Sequence, residues 1–224
     1  MDDLSIKMRT YLAEVYRLAD RYPTDDGFVS TSALADMLFV SPPAVNRMVN
    51  RLKELKLLEH EPYQGIRLTE AGEQEALQQL RAHRIAEVFL SRVMGFDWES
   101  IYNEAAQISS ALSDVLIDRM AAMSGNPQFC PHGEPIPQTD GRIQPMNDVF
   151  LSDAETGVPV RVTRMRTREA DRLSYIEALG LLPNSELEVI HKAPFNGPMQ
   201  LKINDEYRII GHNLAELIRV VPLE

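Results

Sequence analysis

The sequence predicts a mainly α-helical chain with a small β portion: an N-terminal winged helix-turn-helix, a helical middle segment and a C-terminal SH3-like β-barrel. Three observations predict it. The stretch Ser41–Gly65, SPPAVNRMVNRLKELKLLEHEPYQG, reads as a capped amphipathic helix followed by a hairpin. After it, apolar residues recur at helical spacing as far as Met120. From Val160 onward the chain turns to short alternating runs broken by Asn196-Gly197 and Asn204-Asp205.

Taken in order, Met8–Ala19 holds Tyr11, Leu12, Val15, Tyr16 and Leu18, a helix with one strongly apolar side. Asp20–Gly27 is a polar loop, Val29 a short strand, and Ser30-Thr31 the cap of a helix over Ala33–Phe39. Ser41 is the next N-cap, its hydroxyl expected to accept from the first-turn amides, and Pro42 occupies a position whose amide has no helical partner. Val45, Met48, Val49, Leu52 and Leu55 make the buried stripe of this recognition helix. Asn46, Arg47, Asn50, Arg51 and Lys53 lie off it, with the amide forks and positive charge that suit base edges and phosphates. Gln64-Gly65 signals a tight turn, and Ile66–Thr69 returns as a strand.

A long helix starts at Thr69 and keeps its apolar content to Gly95. Asp97 caps the next, where Ile101, Ala105, Ile108, Leu112, Val115 and Met120 step by three or four residues as one buried face. Two long helices behind a winged helix predict a homodimer, which also matches the reading of two half-sites. Ser124–Asp148, rich in Gly, Pro, Asn and Gln, is the expected linker and contains Cys130-Pro131-His132-Gly133. Strands are expected at Val160–Met165, Glu186–His191, Met199–Ile203 and Arg208–Ile210, with helices over Ala170–Leu179 and Leu214–Ile218, the latter a short turn before a final strand. The domains are thus 1–72, 73–147 and 148–224.

The 224 residues suffice for two or three small domains, and the single cysteine excludes an intrachain disulfide framework, so a reducing cytoplasm is expected. No apolar run reaches a membrane span. The net charge of −10 is unlike a nucleic-acid binder, but Arg47, Arg51, Lys53 and Lys56 face only Glu54 within their own stretch. No nucleophile–base arrangement, phosphate loop or metalloprotease motif is readable, so an enzyme is not expected.

The residues YLAEVYRL, SPPAVNRMVNRLKELKLL, YQGIRLTEAGE, HRIAEVFLSRVMGFDWESIYNEA, CPHGEPIP and LGLLPNSELEVIHKAPFNGPMQLKINDEYRIIGHNLAELI follow one another along the chain. In these residues and their order the whole chain resembles the diphtheria-toxin-repressor family of metal-dependent transcriptional regulators, with a C-terminal domain of the ferrous-iron-transport-A type. The resemblance implies a repressor of iron or manganese homeostasis genes, acting as a homodimer on double-stranded operator DNA and using a divalent transition metal, Mn or Fe first, Zn or Co as alternatives. By family position Ser41, Pro43, Ala44, Asn46 and Arg47 face the major groove; Pro42, Asn50 and Arg51 complete the expected DNA-contact set. The family's primary metal site falls on Thr10, Ala106, Ser109 and Ser110, with Ala13 where manganese-type members add an acid. Alanine has no donor and neutral hydroxyls are poor ligands for first-row divalent ions, so this site is expected to be lost. The ancillary site is represented by His83 and Glu87, with Tyr102 in place of a histidine; manganese-sensing members imply Cys130 and His132 as further ligands and Glu169 or Asp171 as the acid. Imidazole, thiolate and carboxylate together suit Fe, Mn, Co or Zn. A His–Glu pair four apart is also a common helix-surface hydrogen bond, and Cys130 reads equally as a buried apolar residue or an oxidation-sensitive thiol. The alternatives are therefore a metal-independent or thiol-redox-responsive DNA-binding regulator, or a protein-interaction adaptor.

Overall fold

The computed structural model describes residues 4–22, 24 and 26–223. The chain folds as two compact units. One comprises Met1–His83, Ile108–Leu116 and Pro137–Arg142; the other comprises Arg84–Gln107, Ile117–Ile136 and Ile143–Glu224.

The first unit opens with α1 (Ile6–Arg21), started by Ser5, whose hydroxyl accepts from Met8 N at 3.3 Å. Its apolar side buries Tyr11, Leu12, Val15 and Leu18. Ser30 caps α2 (Thr31–Leu38) by accepting from Ser32 N and Ala33 N. Then follows α3 (Pro42–Glu54), whose Val45, Val49 and Leu52 join the same core. Ser41 holds the N-cap position, but its hydroxyl caps nothing. Pro42 and Pro43 have removed two first-turn amides, and Ala44 N and Val45 N already reach the Ser41 carbonyl at 2.9 and 3.2 Å. The wing is β1 (Leu58–Glu61) paired antiparallel with β2 (Gly65–Leu68), so the turn falls on Pro62–Gln64, one residue earlier than expected. Val29 bridges to Ile66 across this hairpin. That approach demands glycine at 65: a β-carbon there would lie 2.2 Å from the Val29 carbonyl oxygen, and φ is +117°.

Thr69 accepts from Gly72 N at 3.1 Å and so starts α4 (Glu70–Arg92), a helix of 23 residues. The single apolar face expected from Ile101 to Met120 is broken in two. α5 (Ile101–Ser109) begins a turn after Asp97, and α6 (Asp114–Met123) restarts where Ser113 accepts from Leu116 N at 3.4 Å. Serine hydroxyls at Ser109, Ser110 and Ser113 favour such a break over a continuous helix. Ile101 and Ala105 are buried, whereas Val115, Leu116 and Met123 are exposed in the single chain.

In the second unit β3 (Val149–Phe150), β4 (Pro159–Met165), β5 (Glu186–Lys192), β6 (Met199–Ile203), β7 (Glu206–Ile210) and β8 (Ile218–Pro222) form one antiparallel sheet of order β3-β8-β4-β5-β6-β7. Register shifts at Val162/Arg164 and Val189/His191 bend it in the SH3-like manner. α7 (Ala170–Ala178) and α8 (His212–Ala215) complete its core, to which Leu173, Ile176, Leu214 and Ala215 contribute. No helix among the described residues is long and apolar enough to cross a membrane.

Candidate metal centre and nucleic-acid interface

The apolar stripe of α3 fixes which of its side chains are left outside. Ser41, Pro42, Pro43, Asn46, Arg47, Asn50 and Arg51 are exposed and Ala44 is half-buried, so the expected DNA-contact set lies along one accessible edge. Arg51 pairs with Glu54 at 3.1 Å, a solvated pair of small energetic weight. Arg67 of the wing is held by Glu59 and donates to the Asp26 carbonyl at 3.0 Å, with its guanidinium 4.7 Å from the centre of the Phe28 ring.

The second unit contains a buried constellation. Glu87 on α4 and Cys130 and His132 of the Cys-Pro-His-Gly turn each offer a ligand atom, all within 4.8 Å of one another. The turn expected as part of a linker is firmly held. Cys130 N donates to Glu134 O, Gly133 N to Cys130 O, Met165 N to His132 O and Trp98 Nε1 to Pro131 O, at 2.9–3.0 Å. Gly133 lies against β4 so closely that a β-carbon would meet the Thr163 carbonyl oxygen at 1.9 Å. Glu134 anchors the turn through Arg166 at 3.0 Å, Arg164 at 3.2 Å and Arg84 at 3.3 Å. Burial pushes the Glu134 carboxyl up, but Arg84, Arg166 and Arg164 outweigh it and hold it below its ordinary value.

His132 is oriented at both nitrogens. Nε2 lies 3.1 Å from the Trp98 carbonyl oxygen, and the two rings tilt 42° with centres 5.0 Å apart. A carbonyl only accepts, so Nε2 carries a proton. In the neutral ring Nδ1 is then a lone pair, 3.2 Å from Glu87 Oε1. A lone pair facing a carboxylate needs a cation on that side, either a proton or a metal ion. A metal-bound imidazole whose other N–H is taken by a backbone carbonyl has this arrangement. Burial first, and the charge of Glu87 second, push the Cys130 thiol well above its ordinary range. Carboxylate, thiol and imidazole buried together fit a divalent transition metal.

The other expected ligands fall elsewhere. His83 is buried on α4 but outside this group. Glu169 is exposed and pairs with Arg172 at 3.0 Å, and Asp171 is exposed in the first turn of α7. Tyr102 lies under Arg168, whose guanidinium is 4.6 Å from the ring centre. At the primary positions, Thr10 turns its hydroxyl back to Ile6 O at 3.1 Å, Ala13 is buried, and Ser109 accepts from Gln79 Nε2 at 3.3 Å. No imidazole, thiol or carboxylate stands at these positions. The sequence had singled out neither Trp98 nor Glu134. The carbonyl of Trp98 leaves no trace in residue type, but Glu134 beside Cys-Pro-His-Gly, with Arg164 and Arg166 downstream, was a legible charge pattern.

A winged helix with an exposed polar recognition edge, together with a buried carboxylate–thiol–imidazole group, defines a metal-dependent transcriptional regulator. Matches to known proteins agree along the whole chain. Residues 3–66 match the iron dependent repressor N-terminal DNA binding domain, 69–138 its metal binding and dimerisation domain, and 149–222 the FeoA domain. The chain belongs to the iron-dependent, or diphtheria-toxin, repressor family, a family of DNA-binding repressors and not of enzymes. It is 26% identical to the iron-dependent repressor IdeR of Mycobacterium tuberculosis over 98% of this chain and 99% of that protein. It is 35% identical to the transcriptional regulator MntR of Listeria welshimeri over 50% of this chain and 76% of that one. A manganese-dependent transcriptional repressor solved in complex with manganese superposes with a TM-score of 0.90 and 30% identity, covering 96% of this chain and all of that one.

Proposed function

We propose that this repressor binds operator DNA as a homodimer through the exposed edge of α3 and senses a divalent transition metal at Glu87, Cys130 and His132, the primary site of the family being lost. The three segments 1–72, 73–147 and 148–224 then serve DNA binding, dimerisation with metal sensing, and a C-terminal accessory role. The observation that carries the reading is the buried triad, in which the Trp98 carbonyl presents His132 Nδ1 toward Glu87 and Cys130. His83 enters the ligand set by the family resemblance and its place one helical turn before Glu87; the acid expected at Glu169 or Asp171 rests on the resemblance alone. When bound, the metal would be held by the thiolate, the carboxylate and Nδ1, and would place a fixed positive charge between His132 and Glu87. Manganese, iron, cobalt and zinc are the candidates, and the thiolate weights the set toward zinc and cobalt.

The thiol-redox alternative is less well supported. A sensing cysteine needs thiolate character and access, and Cys130 is buried with its thiol pushed up. The experiment that tests the proposal is mass-spectrometric metal analysis of the purified protein, with DNA binding measured before and after chelation. Stoichiometric metal whose removal weakens DNA binding is expected. A metal-free protein that binds the same DNA equally well with and without chelator overturns it.

A further inference from the structure

We infer that Phe39 and Tyr63 are additional DNA-contact residues, whose rings pack on the duplex on either side of the edge of α3; the inference rests on the DNA-binding reading above. Two independent features of each residue point the same way. Both rings stand in solvent, Phe39 at 96% exposure and Tyr63 fully exposed. Both also sit on left-handed backbone, with φ of +53° and +68°.

The local hydrogen bonds show why each position is costly. Phe39 ends α2, with Phe39 N donating to Asp36 O at 3.3 Å and Val40 N to Ala35 O at 3.1 Å. This is the helix closure whose left-handed residue is usually glycine. Tyr63 is the third residue of the turn Glu61–Gln64, closed by Gln64 N on Glu61 O at 3.2 Å, with Pro62 before it. That turn position also requires positive φ and is ordinarily glycine or asparagine. Elsewhere Asn126, Asn184, Asn196, Asn204 and Asp205 hold left-handed positions, and Lys56 and Phe195 are the other large side chains there. A β-carbon in this conformation destabilises the fold, and a ring left in water recovers nothing. What sets Phe39 and Tyr63 apart is that both strained, exposed rings flank the recognition helix, where a bound partner would cover them.

Their placement selects duplex DNA as the cover. Phe39 is in the turn leading into α3, two residues before Ser41, and Tyr63 is at the tip of the wing. When a recognition helix enters the major groove, elements beside it meet the flanking backbone. Thymine methyls and deoxyribose faces offer apolar surface there, the Tyr63 hydroxyl can donate to a phosphate, and Arg47, Arg51, Lys53 and Lys56 supply the counter-charge. A third exposed left-handed aromatic, Phe195 with φ of +59°, lies in the other unit between β5 and β6 and provides an internal control.

The test compares Phe39→Gly, Tyr63→Gly and Phe195→Gly with the parent. The ligand is a fluorescent duplex that the parent recovers from a randomised pool, at fixed MnCl2 or ZnCl2. All three variants are expected to unfold about 2 °C higher or more, because left-handed strain is relieved. Only Phe39→Gly and Tyr63→Gly are expected to bind the duplex more weakly, each by about tenfold. Parent-like affinity in both variants, or an equal loss in Phe195→Gly, overturns the inference. So does a loss accompanied by a changed oligomeric state in light scattering, which assigns the rings to a protein interface. A parent that recovers no duplex overturns the DNA-binding reading itself, and this inference with it.

Discussion

His132 and Trp98 are joined by a 3.1 Å hydrogen bond from the imidazole Nε2 to the indole residue's own carbonyl, and this bond leaves Nδ1 facing Glu87. Because the donor is fixed, ligation by Nδ1 needs no change of tautomer. His132→Ala, Glu87→Ala and Cys130→Ser should each lose saturable metal binding by calorimetry, and Cys130→Ser should also lose the near-ultraviolet thiolate band of the cobalt form. Ser109→Ala and Ser110→Ala should bind as the parent does. The thiol, pushed up by burial in the free protein, must give up its proton to ligate. Binding should therefore release a proton, and apparent affinity should fall up to about tenfold for each pH unit lost below neutrality. A pH-independent affinity would remove Cys130 from the ligand set.

Arg47 is an exposed side chain on the accessible edge of α3. Arg47→Ala should cost roughly 1–3 kcal/mol of specific DNA affinity if the guanidinium makes a bidentate base contact. Gel-shift titration against matched and mismatched duplexes checks it. Unchanged affinity together with unchanged preference would exclude Arg47 from base recognition.

Val115 is 82% exposed on α6, next to the exposed Leu116. A charge there should not disturb the core of the single chain but would be buried in a dimer interface. Val115→Asp should give a folded monomer, with parent-like circular dichroism and half the mass by light scattering. A parent that is itself monomeric at micromolar concentration would defeat the dimer proposal.

Asp148 is buried and accepts from Thr163 at 2.8 Å, Arg164 at 2.9 and 3.1 Å, and Arg219 at 2.8 Å. Burial pushes its carboxyl up, but the bonds from Arg164, Thr163 and Arg219 prevail and hold it below its ordinary 3.8. Glu134, held below its ordinary 4.5 by its three arginines, behaves alike. For a carboxyl depressed in the folded state, the stabilisation is complete above the unfolded pKa and disappears as pH falls through the folded one. Acid unfolding should thus begin below about pH 5 and steepen under pH 4. Asp148→Asn should destabilise the second unit by roughly 3 kcal/mol at neutral pH, since the buried Arg164 and the half-buried Arg219 lose a charged partner, and should flatten that acid dependence. Denaturant titrations at pH 7 and pH 4 measure both.

The winged helix was legible because its determinants are local. The stripe of α3, the Ser30 cap and the short hairpin are set by neighbours in sequence, and the strands from Val160 onward by alternation. Where competing local preferences met, the reading slipped. Ser41 has a capping hydroxyl, but Pro43 removes one amide it would bind and Ala44 N already donates to the Ser41 carbonyl, and the serines at 109–113 end a helix that apolar spacing alone continues.

By itself the sequence determined the order of the three parts, most of their elements, the polar edge from Ser41 to Arg51, the residue types of the Glu87, Cys130 and His132 group, and the lack of imidazole, thiol or carboxylate at Thr10, Ala13, Ala106, Ser109 and Ser110. Only the tertiary structure decided that a carboxylate on α4 and two side chains more than forty positions later share one buried space. It also decided that Glu169 turns outward to Arg172, and that the Trp98 carbonyl engages Nε2 of His132 and leaves Nδ1 facing Glu87. The reason is physical. Helical faces and turns follow from short-range sterics and hydrogen bonds, whereas a ligand group depends on which distant backbone atoms are brought close, and backbone atoms are the same in every residue.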